Sequence, residues 1–206
     1  MPMSDSALRN TFSFRSGFEC SAHRTFFNQG FTLTEIFIVL AIISVVSLVA
    51  LPMLGTHYEN ACIKATMAEI TGMIREAKQL ALAAEKYYAV GFDPTGGKVS
   101  LISGRGADNQ WNTDDDPVVR TFFLSSKGGS VRFGYGACGP LPGLAAAADG
   151  VTFQTNNTLV CNPDLTGNAG TVYLTSPRGA AMAIVMNSED FGYKLWRWDG
   201  KKWVRQ

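Results

Sequence analysis

The sequence predicts an α+β protein in which a long N-terminal helix packs on an antiparallel β-sheet domain. Residues 36–54 are apolar and uncharged, and roughly 20 such residues suffice for one helix to cross a bilayer. Apolar residues then recur at three- and four-residue steps as far as residue 86, which is typical of an amphipathic helix. Beyond that point, short apolar segments alternate with Gly-, Pro- and Asn-containing turns, which indicates strands.

These patterns divide the chain of 206 residues into four segments. Residues 1–30 have no apolar core of the secretory type, and their interpretation as a leader that ends at Gly30 is implied by the family resemblance of the motif described below. Residues 31–54 are predicted to form the membrane-spanning half of the helix, and residues 55–86 its amphipathic continuation. Residues 87–206 are predicted to form one globular β domain, and a chain of this length suffices for such an arrangement.

The charge distribution argues against a global attraction to nucleic acid. The chain has a net charge of +1, and the leader accounts for all of it, so residues 31–206 are neutral. The hydrophobic content of 46% fits a globular domain with one anchor. Arg15 and Arg24 precede the apolar run, which favours a cytoplasmic N-terminus.

The second half of the predicted helix presents one apolar stripe among charged residues. Pro52 and Gly55 are the positions at which the helix is expected to kink. A sheet is needed to cover the stripe, whose members are Ile63, Met67, Ile70, Ile74, Ala77, Ala81 and Ala84.

The β domain is predicted to be a meander of antiparallel strands. Asp199-Gly200 is a strong signal for a tight hairpin, and residues 140–150 are expected to form an irregular loop. The predicted strands are 87–92, 98–102, 118–124, 131–135, 151–154, 159–161, 171–175, 180–186, 193–198 and 202–204.

The entry to the apolar run has an unusual order of residues. It reads Gly30-Phe31-Thr32-Leu33-Thr34-Glu35, with a carboxylate at the membrane edge where ordinary anchors carry basic residues. A carboxylate in that position costs several kcal/mol unless it is paired. Glu35 therefore requires a partner cation.

The motif, the charge-free run and Pro52 together resemble the type IV pilins and type II secretion pseudopilins. The resemblance implies that a prepilin peptidase cleaves after Gly30 and N-methylates Phe31, and that Glu35 and Pro52 serve in assembly. The implied partners are other pilins or pseudopilins in a helical filament and an inner-membrane assembly platform. The implied location is the bacterial inner membrane, spanned once with the C-terminal domain in the periplasm, and then the pilus or pseudopilus. Thr34 departs from the family, which usually has an aliphatic residue there.

The chemistry of Glu35 agrees with this interpretation. Cleavage creates an α-amino group at Phe31, and a carboxylate four residues along a helix lies on the same face. In a filament, Glu35 of one subunit could neutralise the N-terminus of the next. The alternative is an interfacial glutamate that merely extends toward water.

The C-terminal region resembles the pseudopilin H and FimT group of minor pilins, through a strand, Arg178-Gly179, a second strand and a Trp-rich end. The resemblance implies a minor subunit that acts in filament initiation or at the tip. An alternative is a tip pilin that binds DNA for uptake, because basic residues neutralise phosphates and aromatic rings stack on bases. Strand alternation places Trp196 and Trp198 on one face, expected to be the core. The possible DNA contacts are Lys194, Arg197, Lys201, Lys202 and Arg205.

Cys138 and Cys161 are predicted to form a disulfide, because the bacterial compartment beyond the inner membrane is oxidising. Such a bond would stabilise the fold by about 3 kcal/mol in the chain-entropy model. The alternative is two free buried thiols. The cysteine spacing shows no zinc signature.

An acidic and amide-rich stretch is a weak candidate for calcium binding. Asp and Asn at alternate positions supply the oxygen ligands that calcium prefers. An EF-hand would need Gly and Glu where Thr113 and Val119 stand, so an exposed turn is the favoured interpretation. The candidate ligands are Asp108, Asn112, Asp114 and Asp116.

No catalytic arrangement is apparent in the sequence. His23 and His57 are the two histidines, and neither lies beside a plausible nucleophilic Ser or Cys. The phosphate-binding and dinucleotide-binding glycine motifs are missing. The sequence therefore predicts that the protein is not an enzyme and needs no cofactor.

Overall fold

The computed structural model describes residues 30–188 and 192–206, so the predicted leader apart from Gly30 lies outside the described residues. In these ranges the chain forms one long helix and nine strands, which confirms the predicted α+β class. There are two compact units, the first ending at Ser44 and the second beginning at Val45.

Helix α1 spans Leu33–Ala84. Thr32 caps its start, because its Oγ1 accepts a hydrogen bond from the backbone N–H of Glu35 at 3.2 Å. Among the described residues no single helix is long and apolar enough to cross a membrane. A bent pair, Leu33–Leu48 and Met53–Ala84, meets that requirement by length and composition alone, and Pro52 lies in the break between its members.

The strands form two antiparallel sheets where the sequence predicted one meander. The first sheet has the order β3-β2-β1-β5 and the second β4-β6-β7-β8-β9. The predicted strand at 151–154 is reduced to one bridge between Val151 and Val172. The strand bounds are Tyr88–Asp93 (β1), Lys98–Ile102 (β2), Val118–Phe123 (β3), Arg132–Phe133 (β4), Thr158–Cys161 (β5), Gly170–Thr175 (β6), Ala181–Met186 (β7), Tyr193–Trp198 (β8) and Trp203–Arg205 (β9).

The main core lies between the second half of α1 and the inner faces of both sheets. The predicted apolar stripe is buried except at Ala84, and Ile70 and Ala77 are fully inaccessible. Phe92 of β1 stacks on Phe153 at a centroid distance of 5.8 Å. The stripe therefore serves the purpose inferred from its spacing, which is to bury one helix face against strands.

Glu59 of α1 fastens the β6–β7 hairpin to the helix. Its Oε2 accepts hydrogen bonds from the Ser176 hydroxyl at 2.8 Å and from the backbone N–H of Arg178 at 3.0 Å. Its Oε1 lies 3.7 Å from Arg178 Nε, and the Glu59 side chain is only 12% exposed. The hairpin turn is thus held through a largely buried carboxylate.

We expect Glu59→Ala to lower the free energy of unfolding by about 2 kcal/mol, because it leaves two donors without their charged acceptor. The measurement is urea unfolding of the full chain in detergent, with the exposed Glu85→Ala as control. Equal stability of the two variants would show that the hairpin does not depend on this carboxylate.

Candidate functional site

The first candidate site is the N-terminal motif at the start of α1. Every residue from Gly30 to Val46 is exposed, and Phe31 and Leu33 are 77% and 75% accessible. A helix that is apolar all round is expected to be buried in lipid or among other subunits. The large apolar side chains of this segment are thus exposed in the part of the chain that the structure describes.

Thr32 is a functional position that the sequence analysis missed. The order Thr-x-x-Glu over residues 32–35 is the pattern of a capping box, in which the first side chain accepts from the third helical N–H. The observed bond from the Glu35 N–H to Thr32 Oγ1 is half of such a box. The start of α1 is thus stabilised by Thr32 through the Glu35 backbone, whatever the Glu35 carboxylate binds.

The second candidate site is a groove on the outer face of the second sheet, the face turned away from the main core. We call it the outer groove. Its volume is about 630 Å³, and it lies between the loop 138–144 and the strands β8 and β9. The strand and turn residues that line it are Val185, Lys194, Trp196, Trp198, Lys201, Lys202 and Trp203.

Three hydrogen bonds hold the loop wall of the outer groove in place. The backbone N–H of Leu141 donates to Tyr173 Oη at 3.2 Å, and Trp203 Nε1 donates to the Gly139 carbonyl at 3.2 Å. The Cys138 thiol donates to the carbonyl of Gly179 at 3.7 Å. Burial raises the pKa of the Tyr173 hydroxyl, which keeps this group neutral. The wall is therefore attached to β6, β9 and the β6–β7 turn.

The structure corrects the expected position of the tryptophans. Trp196 and Trp198 pack against a second, smaller cluster around Tyr173 and Trp203 on the outer face, whereas Leu195 packs against the main core. Lys194 follows the same alternation as Trp196 and shares its face. Because this face carries a groove, the lysine does not enter the core.

The structure separates one of the five predicted DNA contacts from the rest. Arg205 lies opposite Trp196 in the β8–β9 ladder, so it shares the outer face with Lys194. Arg197 lies opposite Met182 of the main core, so it belongs to the inner face. Its buried Nε has no hydrogen-bond partner among the described residues. The predicted basic surface therefore consists of four residues, with Arg197 excluded by strand alternation.

Asp199 organises the β8–β9 turn beside the outer groove. Its Oδ1 accepts hydrogen bonds from the backbone N–H groups of Lys202 at 2.7 Å and Lys201 at 2.8 Å. These bonds hold the pKa of the Asp199 carboxyl below its usual range. The carboxylate thereby fixes the backbone of the two lysines at the rim of the groove.

The calcium candidates serve the loop that covers the outer face of the first sheet. Asp116 accepts from the backbone N–H groups of Gly106 at 2.8 Å and Thr113 at 3.1 Å, and Asn112 donates to the carbonyls of Phe92 and Asn156. In the described ranges, no three His, Cys, Asp or Glu side chains form a group that could hold a metal ion. The structure therefore shows these side chains in a hydrogen-bonded turn.

The predicted Cys138–Cys161 disulfide is not formed in the structure, where both residues are free thiols. Cys161 of β5 is fully buried in the main core, whereas Cys138 packs against the cluster on the outer face of the second sheet. That sheet lies between the two sulfur atoms. Sequence separation alone could not reveal this barrier, because it depends on how the loop 138–144 folds over the sheet.

We expect iodoacetamide at pH 8 to alkylate Cys138 slowly in the native chain and to leave Cys161 unmodified. The thiolate is the nucleophile, and burial raises the pKa of Cys161 to about 12 and raises that of Cys138 as well. Peptide mapping without reductant is the measurement, with denatured protein as the control in which both react. A Cys138–Cys161 disulfide peptide in the unreduced digest would contradict this arrangement.

Comparisons with models of protein families and with curated proteins find no match. Among solved structures, the chain is similar to the minor pseudopilin EpsH from the type 2 secretion system of Vibrio cholerae. The similarity has a TM-score of 0.41 at 12% sequence identity, and it covers 64% of this chain and 94% of that one.

Proposed function

We propose that the protein is a minor pilin-like subunit of a type IV pilus or a type II secretion pseudopilus. The observation that carries the proposal is the motif Gly30 to Glu35 at the capped start of a long helix whose first turns are apolar and exposed. In this proposal a prepilin peptidase cleaves after Gly30 and N-methylates Phe31. The subunit then acts in filament initiation or at the tip.

The exposed apolar segment supports an environment of lipid followed by other subunits. Burying apolar surface is favourable by about 25 cal/mol per Å². A helix with apolar side chains on all sides is therefore stable only where another apolar surface covers it. A bilayer covers it before assembly and neighbouring helices cover it in the filament. Between residues 31 and 48, the exposed large apolar residues are Phe31, Leu33, Ile36, Phe37, Ile38, Val39, Leu40, Ile42, Ile43, Val45, Val46 and Leu48.

The proposed partners and location follow from this environment. In the inner membrane the chain spans the bilayer once, and its C-terminal domain lies in the periplasm. The peptidase acts on the membrane-bound precursor, and an assembly platform in the same membrane passes the subunit to other pilins. Glu35 then pairs with the amino group of a neighbouring subunit, since an unpaired charge among helices is costly.

The test is mass spectrometry of the chain isolated from membranes of the native host. The expected N-terminal peptide begins at Phe31 and carries one additional methyl group on its amino nitrogen. A strain without its prepilin peptidase serves as control and should yield the longer precursor. A mature chain that begins elsewhere, in the strain with an active peptidase, would overturn the proposal.

The alternative function, a nucleic-acid receptor at a pilus tip, stays a prediction. Four of its five candidate residues share the outer face of the second sheet, and Arg197 does not. The experiment on the outer groove described below includes DNA and therefore tests this alternative as well.

A further inference from the structure

We propose that the outer groove binds an extended acidic peptide segment that carries a bulky apolar side chain. The groove lies within the second compact unit, and binding there does not require cleavage after Gly30. A failure of the processing test and a failure of peptide binding are therefore separate results.

The shape and lining of the outer groove suit an apolar anchor. Its volume of about 630 Å³ is in the range of specific binding pockets, which are lined mainly by apolar and aromatic side chains with a few polar groups. Pro140, Leu141 and Pro142 form one wall, and Trp196 and Trp198 lie on the strand side. Grooves lined by aromatic residues are a common way to bind extended peptides.

The groove is formed before any ligand arrives. Its wall is held by the hydrogen bonds described above, from the Leu141 N–H to Tyr173 Oη and from Trp203 Nε1 to the Gly139 carbonyl. Trp203 contacts Trp198 and Tyr173 edge to face, with ring centroids 5.7 Å and 6.0 Å apart. A rigid wall and a packed aromatic floor lower the conformational entropy lost on binding.

The charge of the groove specifies an acidic ligand. Lys194, Lys201 and Lys202 line it, all three are exposed, and no acidic residue is among its lining residues in the described part of the chain. Asp199 is the nearest acidic residue in sequence, and its Oδ1 is already bound to the backbone of the two turn lysines. A ligand with carboxylates beside its apolar anchor would match this pattern and associate faster through electrostatic attraction.

The same observations favour a peptide over nucleic acid. Binding to a nucleic-acid backbone depends on many phosphate contacts along a basic track, whereas here the cations surround one compact apolar groove. The chain has a net charge of only +1, so it provides no extended positive field. Arg197, which would lengthen a basic track on β8, faces the other side of the sheet.

The experiment uses the full chain in detergent micelles and a phage library of random linear peptides. Selected peptides are synthesised with a fluorescent label, and their affinity is measured by fluorescence anisotropy. We expect selection of sequences that combine Asp or Glu with Trp, Phe or Leu. Variants of the same peptides with Asn and Gln in place of Asp and Glu should bind at least about tenfold more weakly.

Paired charge reversals show whether binding occurs in the groove. The double variant Lys201→Glu/Lys202→Glu should weaken binding about tenfold or more, because it reverses two rim charges and retains the backbone N–H groups that Asp199 binds. The control is Lys64→Glu/Lys86→Glu, which makes the same change in net charge at two exposed lysines outside the groove. The control should bind the selected peptides like the unmodified chain.

Three results would overturn the proposal. One is the failure to select any peptide, and another is equal weakening by the two double variants. The third is salt-dependent binding of a labelled DNA oligonucleotide that Lys201→Glu/Lys202→Glu abolishes while no acidic peptide competes for it. This last result would assign the groove to nucleic acid and support the receptor alternative.

Discussion

Replacing Gly30 by leucine is expected to leave the precursor uncut, so that no chain beginning at Phe31 accumulates. We expect the effect to arise at the peptidase and not from misfolding of the chain. A Cβ built at Gly30 has no neighbouring atom within 4 Å, and Gly30 precedes the first residue of α1. The substitution therefore introduces no clash within the described residues, while it fills the position that the proposed peptidase must approach closely.

The measurement is the ratio of precursor to processed chain in membranes, with the N-terminus identified by mass spectrometry. Thr34→Leu is the matched control, since it introduces the same side chain four residues later, at a position where the family that the motif resembles usually has an aliphatic residue. It should be cleaved at least as well as the unmodified chain. If Gly30→Leu still yielded an N-methylated Phe31, the assignment of the cleavage site would be wrong.

Glu35→Gln is expected to be cleaved normally and to enter filaments about a hundredfold less than the unmodified chain. Cleavage precedes assembly, so the loss should appear only at the second step. Without the carboxylate, the amino group of a neighbouring subunit remains unpaired among helices, at a cost of several kcal/mol. Glu35→Asp should be partly tolerated, because the charge remains but extends less far.

The structure indicates a control that separates the effect of the Glu35 charge from the effect of the helix cap. Thr32 Oγ1 caps the backbone N–H of residue 35, and this bond survives in Glu35→Gln, so the helix start is retained. Thr32→Val removes the cap and leaves the carboxylate in place, at a cost of about 1 kcal/mol to the helix. The measurement is the ratio of processed protein in sheared filaments to that in membranes. Equal incorporation of Glu35→Gln and the unmodified chain would rule out charge pairing for this subunit.

Local patterns predicted most of the elements correctly. The apolar stripe from Ile63 to Ala81 identified the buried face of α1, because helix periodicity depends only on neighbours three and four residues apart. The Asp199-Gly200 turn predicted the β8–β9 hairpin for a similar reason, since the turn residues themselves determine the backbone. The weak strands at 131–135 and 151–154 were overestimated, because their pairing depends on contacts with β6 that are distant in sequence.

The candidate sites also divide into those that contiguous residues indicate and those that depend on tertiary packing. Gly30, Phe31 and Glu35 could be proposed from the sequence because their proposed chemistry depends on contiguous residues at a helix start, and this assignment stays a prediction. Strand alternation placed Trp196 and Trp198 on one face, but the sequence could not show that both faces of the second sheet are covered. Trp196 and Trp198 share one face as expected, and they pack against the smaller hydrophobic cluster on the outer face instead of the main core.

The sequence by itself determined the α+β class, the long helix with its apolar first half, and the motif that supports the proposed processing. These features arise from local periodicity, composition and turn chemistry, which act between near neighbours. Only the tertiary structure decided that the strands form two sheets, that Cys138 and Cys161 lie on opposite sides of one of them, and that loop 138–144 forms the wall of the outer groove. Those arrangements depend on which distant surfaces pack together, and long-range packing of this kind leaves no periodic pattern along the chain.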